Sequence, residues 1–293
     1  MSYNFAFLDE ASKRSVRRAL LKAVAIPGYQ VPFVSRELPI SYGWGTGGIQ
    51  ITSALLGRQD VLKVIDQGAD DSVNALNIKR FFAKTAGTRT TTLTAEATIV
   101  QTRHRIPEER LRADQILVLQ VPYPEPLRHV EARETETARM HAEGDYGRMY
   151  VALYEDIVRH GEINLPANYP VLVNGRYLMS PSPIPRFDNP KLHRAACLFL
   201  FGAGREKRVY AVPPHTDVQS LGFEDYPFRV ESFDGRRCSR CGSGDTYLDE
   251  VIADASGRRV HQCSDTAFCR RRQADPDAVR GWGRDAETAG ART

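Results

Sequence analysis

The sequence is short of cysteine and long apolar runs, has no dominant charge of either sign, and each shortage excludes something. No window approaches the run of about 18 apolar residues that a membrane-crossing helix needs. The opening stretch MSYNFAFLDEASKRSVRR carries charge where a secretion signal keeps its apolar segment. The expectation is therefore a cytoplasmic protein with no membrane role. Forty basic residues against 36 acidic ones leave a net charge of +4. No dense basic stripe interleaved with aromatics accompanies that excess, so no nucleic-acid partner is expected. With 42% hydrophobic and 26% charged residues the chain is neither disordered nor fibrous. Its 293 residues suffice for one large domain or two ordinary ones.

Five cysteines are few for a secreted disulfide scaffold, and they are not scattered. Four fall within residues 238–269, while Cys197 stands alone in an apolar run and reads as a buried hydrophobe. In a chain without an export signal, such a cluster reads as a metal site.

The pattern along the chain predicts an α+β fold built on a mixed β-sheet. A helix is expected over 9–26, ended by Pro27-Gly28, because proline cannot continue the helical ladder. A Gly/Pro-rich stretch runs to about Gly48, followed by an apolar segment at 61–65 and a helix near 71–82. Strands are expected at 98–103 and 116–121. Residues 128–161 turn charged and helix-favouring, with Tyr146, Met149, Tyr150, Leu153 and Ile157 forming one apolar stripe. Packing onto the core and docking a partner explain that stripe equally well. Asn174-Gly175 between two apolar arms signals a hairpin. The division is a discontinuous α+β core at 1–123 and 168–232 and a helical insertion at 124–167. A four-cysteine β-hairpin module follows at 233–269, and a loose polar tail at 270–293.

The most specific chemistry lies in the module. Cys238 and Cys241 form a C-x2-C knuckle; Cys263 follows after 21 intervening residues and Cys269 after five more. Strands at 247–252 and 258–262, joined by a turn at 254–257, bring the distant pair back to the knuckle. Thiolates suit soft or borderline metals, so structural zinc and an iron–sulfur cluster are both sensible. A zinc ribbon normally closes with a second tight knuckle. The wider final gap in this chain suggests three ligands with a fourth cysteine free to move, leaving an open coordination position. Weaker candidates surround it. The run Gly45-Thr46-Gly47-Gly48 offers backbone N–H groups for an anion, or is simply a turn. Arg103 and His104 end one predicted strand, where a guanidinium can grip phosphate and an imidazole can move a proton. Gln120 ends the next. His215 reads as a loop histidine, His261 as a neighbour of four sufficient cysteines, and Arg205, Lys207 and Arg208 as a solvated charge run.

With its cysteine spacing and CSDT at 263–266, the chain resembles the PhnJ family, the J subunits of bacterial carbon–phosphorus lyase. AIPGYQVPF at 25–33, YGWGTGG at 42–48, QTRHRIPE at 101–108 and FGAGREKR at 201–208 carry the same likeness, in order from about residue 3 to 272. The resemblance implies a radical S-adenosylmethionine enzyme whose [4Fe-4S] cluster is held by Cys238, Cys241 and Cys263. It implies hydrogen abstraction from Gly28, transfer of the radical to Cys269, and attack of that sulfur on phosphorus of α-D-ribose 1-methylphosphonate 5-phosphate. The implied products are α-D-ribose 1,2-cyclic phosphate 5-phosphate and methane, with methionine and 5′-deoxyadenosine released. Zinc is expected to replace the cluster in aerobic preparations. The implied partners are the core subunits PhnG, PhnH and PhnI, and an ABC-type ATPase, PhnK, docked on the insertion. The rival reading is a non-catalytic zinc-ribbon scaffold.

Overall fold

The computed structural model describes residues 14, 18, 30–32, 46–121, 126–161, 169–180, 184–202, 208–220, 231–277 and 281–282. Most of the helix expected over 9–26 lies outside these residues, as do Gly28, Gly45, Arg205 and Lys207.

The expected mixed sheet is present, with a mostly parallel centre. Its strands are β1 (Gln30–Pro32), β2 (Val61–Asp66), β3 (Arg89–Thr90), β4 (Ile99–Arg103), β5 (Ile116–Gln120), β8 (Leu198–Gly202) and β9 (Arg208–Val212). They lie in the order β1-β9-β8-β5-β4-β2-β3. From β3 to β8 every pairing is parallel; β9 runs antiparallel to β8 and β1 antiparallel to β9. A sheet of this kind is covered on both faces, which explains why every residue of β2 is buried.

One face carries helices α1 (Thr46–Leu55) and α2 (Val73–Ala86), whose Ile51, Ala54, Ala75, Ile78 and Phe82 pack on Leu62, Val64, Ile99, Val118 and Leu200. Ser72 starts α2 by accepting a hydrogen bond from the Ala75 N–H at 3.1 Å, and Gly87, at φ 62°, ends it. The opposite face carries Val100, Leu117, Leu119, Phe199 and Phe201, covered by Ile106, Ile184, Leu192 and a second sheet. That sheet places β6 (Tyr169–Val173) between β10 (Val218–Ser220) and β7 (Arg176–Ser180). The hairpin β6–β7 turns at Asn174-Gly175, with φ of 48° and 73°, as that dipeptide predicts.

The insertion holds α3 (Glu134–Glu143) and α4 (Gly147–His160). The stripe read from the sequence is buried in it: Tyr146, Met149 and Leu153 close on Leu127 and Met140, with Tyr150, Ile157 and Leu172 against them. Its role is self-packing. Val151, Tyr154 and Val158 face outward instead, Val158 82% exposed.

The module is a hairpin of β11 (Leu248–Ile252) and β12 (Arg259–Cys263), followed by α5 (Thr266–Ala274). Helix α5 corrects the expectation that a loose tail begins at residue 270. The side chain of Asp265 caps it by accepting from the Phe268 N–H at 2.9 Å. Arg271 on its far turns pairs with Glu109. Farther along, Trp282 Nε1 donates to the Pro107 carbonyl at 2.7 Å and its ring stands 6.2 Å from that of Phe199.

Candidate functional site

Parallel pairing puts the carboxyl ends of four strands in one row: Asp66 opposite Arg103, Arg103 opposite Gln120, and Gln120 opposite Gly202. The crevice outside such an edge is where open parallel sheets present ligand-binding groups. The first turn of α1 reaches the same edge. A Cβ on Gly48 would lie 3.1 Å from Gln120 Cβ, and one on Gly202 would lie 3.5 Å from the Gly47 carbonyl oxygen. Thr46, Gly47 and Gly48 therefore open a helix; they form neither a free nest nor a plain turn, and the glycines let its backbone approach the strand ends. A helix N-terminus over a parallel edge presents N–H groups to an anion.

Arg103 does not enter this crevice unaccompanied. Its Nε donates to Asp66 Oδ1 at 2.7 Å and its Nη2 to Asp66 Oδ2 at 3.2 Å, while Asn74 donates to the same Oδ2 at 2.8 Å. This fork of hydrogen bonds fixes the guanidinium plane. His104 follows with φ 72°, a left-handed backbone that is uncommon outside glycine. Burial and then the neighbouring Arg103 charge push its pKa below the ordinary value, favouring the neutral imidazole.

The cysteine module docks on this edge. Gln67 and Gly68, immediately after Asp66, meet Ser264 and Thr266, immediately after Cys263: Ser264 Oγ donates to the Gln67 carbonyl at 3.3 Å, and the Thr266 N–H to that of Gly68 at 3.3 Å. A Cβ on Gly68, whose φ is +81°, would lie 2.8 Å from the Ser264 carbonyl oxygen. Asp71 adds an ion pair to Arg270 and accepts from Thr266 Oγ1 at 3.1 Å.

Within the module the thiol sulfurs of Cys238, Cys241, Cys263 and Cys269 all lie within 4.8 Å of one another. Cys238 and Cys269 stand 3.7 Å apart, and Cys241 and Cys263 3.5 Å. The five-residue gap does not leave Cys269 outside, because the first turn of α5 folds it back onto the knuckle. Four sulfurs on one tetrahedral ion, each about 2.3 Å from the metal, stand roughly 3.8 Å apart. The spacing thus fits a single ion. A cubane cluster is wider, so holding it on Cys238, Cys241 and Cys263 requires these thiolates to part and Cys269 to withdraw. The donors suit either group in kind.

Electrostatics point to a cation as well. Burial opposes charge on Cys238, but backbone N–H groups at Cys241, Cys263 and Arg240 outweigh it and draw its pKa down to about 6. Burial, with the Cys238 and Cys241 sulfurs nearby, pushes Cys269 up to about 12. Cys263 is raised too, chiefly by burial. Hydrogen bonding thus favours the thiolate at Cys238, while burial disfavours further negative charge at Cys263 and Cys269, which a bound cation would offset.

Among the lesser candidates, His215 is an exposed turn residue, and His261 is engaged by Arg236 at 3.1 Å. Sequence reasoning missed Asp66, whose bond to Arg103 depends on strand register, and Glu108, whose contacts gather residues far apart in the chain. It also missed Asp265, although an aspartate just before Thr-Ala-Phe-Cys is a helix-start signal.

The sequence model of the family described as "Phosphonate metabolism protein PhnJ" matches residues 1–275. The chain belongs to the PhnJ family. It is 63% identical over 273 residues, 93% of this chain and 92% of the other, to a Rhizobium meliloti (strain 1021) protein named alpha-D-ribose 1-methylphosphonate 5-phosphate C-P-lyase. An Escherichia coli (strain K12) protein, the alpha-D-ribose 1-methylphosphonate 5-phosphate C-P lyase, is 61% identical over 92% of this chain and 95% of its own. The PhnJ match spans the strand-end row and all four module cysteines. No helix among the described residues is long and apolar enough to cross a membrane.

Proposed function

We propose that this chain is the carbon–phosphorus lyase of a multi-subunit assembly, acting on α-D-ribose 1-methylphosphonate 5-phosphate. The observation that supports it most is the docking of a four-cysteine cluster able to hold a metal on the carboxyl edge of a parallel sheet, in a chain more than 60% identical to two proteins named for that reaction. A scaffold ribbon has no need to place its metal beside such an edge.

When bound at the cysteines with S-adenosylmethionine and one electron from a reductant, a [4Fe-4S] cluster supplies the 5′-deoxyadenosyl radical, the hard chemistry being the cofactor's. The chain does the rest. The helix opening at Thr46, Gly47 and Gly48, together with Gln120, receives the anionic substrate, and Arg103, held by Asp66, presents a fixed cation to phosphate oxygens. His104, favoured neutral, accepts the ribose 2-hydroxyl proton when that oxygen displaces the enzyme sulfur. Gly28 holds the radical, which a glycine stabilises by delocalisation into both flanking amides. Cys269 gives its thiol hydrogen to the Gly28 radical, and the resulting thiyl sulfur bonds to phosphorus while the carbon–phosphorus bond breaks homolytically; the departing methyl radical takes that hydrogen atom from Gly28 to become methane. The products are α-D-ribose 1,2-cyclic phosphate 5-phosphate, methane, methionine and 5′-deoxyadenosine.

The assembly partners proposed are PhnG, PhnH and PhnI, with an ABC-type ATPase, PhnK, on the insertion. The outward Val151, Tyr154 and Val158, on one face of α4, replace the buried stripe as its docking surface.

Cys269→Ala tests the assignment in the anaerobically assembled complex. Expected are retained iron and loss of methane. Loss of the cluster instead would mean that Cys269 is a ligand and another cysteine the nucleophile.

A further inference from the structure

We infer that Glu108 is the positioning residue that holds the two halves of the cysteine centre in register; this builds on the metal-site part of the proposed function. The QTRHRIPE segment contributes more than strand-end groups. Glu108 is buried, and both of its carboxylate oxygens are engaged. Oε1 accepts from Arg105 Nη2 at 2.9 Å and from the Tyr247 N–H at 3.1 Å, and Oε2 pairs with Lys191 at 3.0 Å. Its own N–H donates to Asp265 Oδ2 at 3.1 Å.

Two of those four contacts go to the module, at different ends. Tyr247 leads into β11, and its carbonyl accepts from the Ser264 N–H at 3.0 Å, just past Cys263. Asp265 caps α5, and its carbonyl accepts from the Cys269 N–H at 3.0 Å. One buried side chain and its backbone therefore fix both the strand end that carries Cys263 and the helix that carries Cys269.

The other two contacts make the anchor rigid. Arg105 Nε donates to Asp188 Oδ2 at 2.9 Å, Lys191 pairs with Asp188 at 2.8 Å, and the Arg105 guanidinium lies 3.8 Å from the centre of the Tyr247 ring. Two cations and two carboxylates balance in a site almost closed to water. Removing one charge leaves the others buried and unmatched, a costly change that loosens whatever the network holds.

The test uses the full-length chain with cobalt(II) as the metal probe. Glu108→Gln keeps size and shape but removes the charge. Asp265→Asn keeps an acceptor for one of its two N–H partners and sets an NH2 against the other. Phe82→Leu, in the helix layer distant from the module, controls for general loss of stability. Expected for both polar variants, at unchanged far-ultraviolet dichroism, are a weakened thiolate-to-cobalt charge-transfer band and at least tenfold faster release to a chelator. Phe82→Leu keeps the parental band and rate. Parental behaviour in Glu108→Gln overturns the inference, and so does equal acceleration by Phe82→Leu. Should Glu108→Gln fail to fold, Asp265→Asn decides alone by the same criteria. None of these readouts involves phosphonate chemistry, so failure of the proposed activity leaves the test standing.

Discussion

Cys197 and Cys238 are both buried cysteines, and their neighbours give them opposite chemistry. Cys197 lies among the apolar side chains beneath the sheet, where burial pushes its pKa up to about 12. Cys238 is turned toward backbone N–H groups and three other sulfurs. Cys197→Ala should therefore cost about 1 kcal/mol of stability in urea unfolding and leave metal stoichiometry unchanged. Zinc added to the reduced, metal-free chain at neutral pH should release at least two protons per ion, because burial favours the protonated thiol at Cys263 and Cys269. Calorimetry in buffers of different ionisation enthalpy measures this; release of fewer than two contradicts protonated thiols at both positions. The sequence made the cysteines legible because four of one rare residue in a short span leave little choice. Arg103 was legible as a strand-end cation, but its partner Asp66 was not, since 37 residues separate them and only parallel register joins them.

Secondary elements were readable where the signal is local. The Asn174-Gly175 turn and the module hairpin follow from residue types within a few positions. Helix α5 lacks an apolar stripe and carries three consecutive arginines, so its part from Arg270 onward read as tail; its tertiary contacts and its Asp265 cap reveal the helix. The insertion stripe was correctly seen as apolar, but a stripe alone does not say which surface it meets. Among the elements, the turn at Gly68 offers an informative substitution, Gly68→Ala. The left-handed backbone costs a non-glycine residue about 1–3 kcal/mol, and the Ser264 backbone cannot give way cheaply. We predict faster metal loss with the insertion unaffected, read by hydrogen exchange. Glu131 supplies a pH test. The Arg133 guanidinium, the Arg133 backbone N–H and the Arg148 side chain all bind its carboxylate, and the Arg133 side-chain hydrogen bonds lead in drawing its pKa down to about 2. A depressed carboxylate stabilises the fold above its unfolded pKa, near 4.3, and that contribution fades as pH falls toward 2. Glu131→Gln should therefore lower the thermal midpoint at pH 7 and lose its effect near pH 2. An equal effect at both pH values would exclude the charge as the cause.

For the whole molecule, the parallel sheet makes the difference between a cysteine ribbon and a site. Strand order β8-β5-β4-β2 is non-local, so the sequence predicted strands without showing that Asp66, Arg103, Gln120 and Gly202 share one edge. Only that order brings the QTRHRIPE and Gly-rich segments together with the CSDT segment. The most direct test takes the chain purified without oxygen, reconstituted with iron and sulfide, and reduced in the presence of S-adenosylmethionine and its proposed partners. Expected are 5′-deoxyadenosine together with the spin-resonance signal of a reduced [4Fe-4S] cluster, and methane once the ribose phosphonate is added. A protein that takes up one zinc ion, never a cluster, and forms none of these products would contradict the proposed function and leave a scaffold.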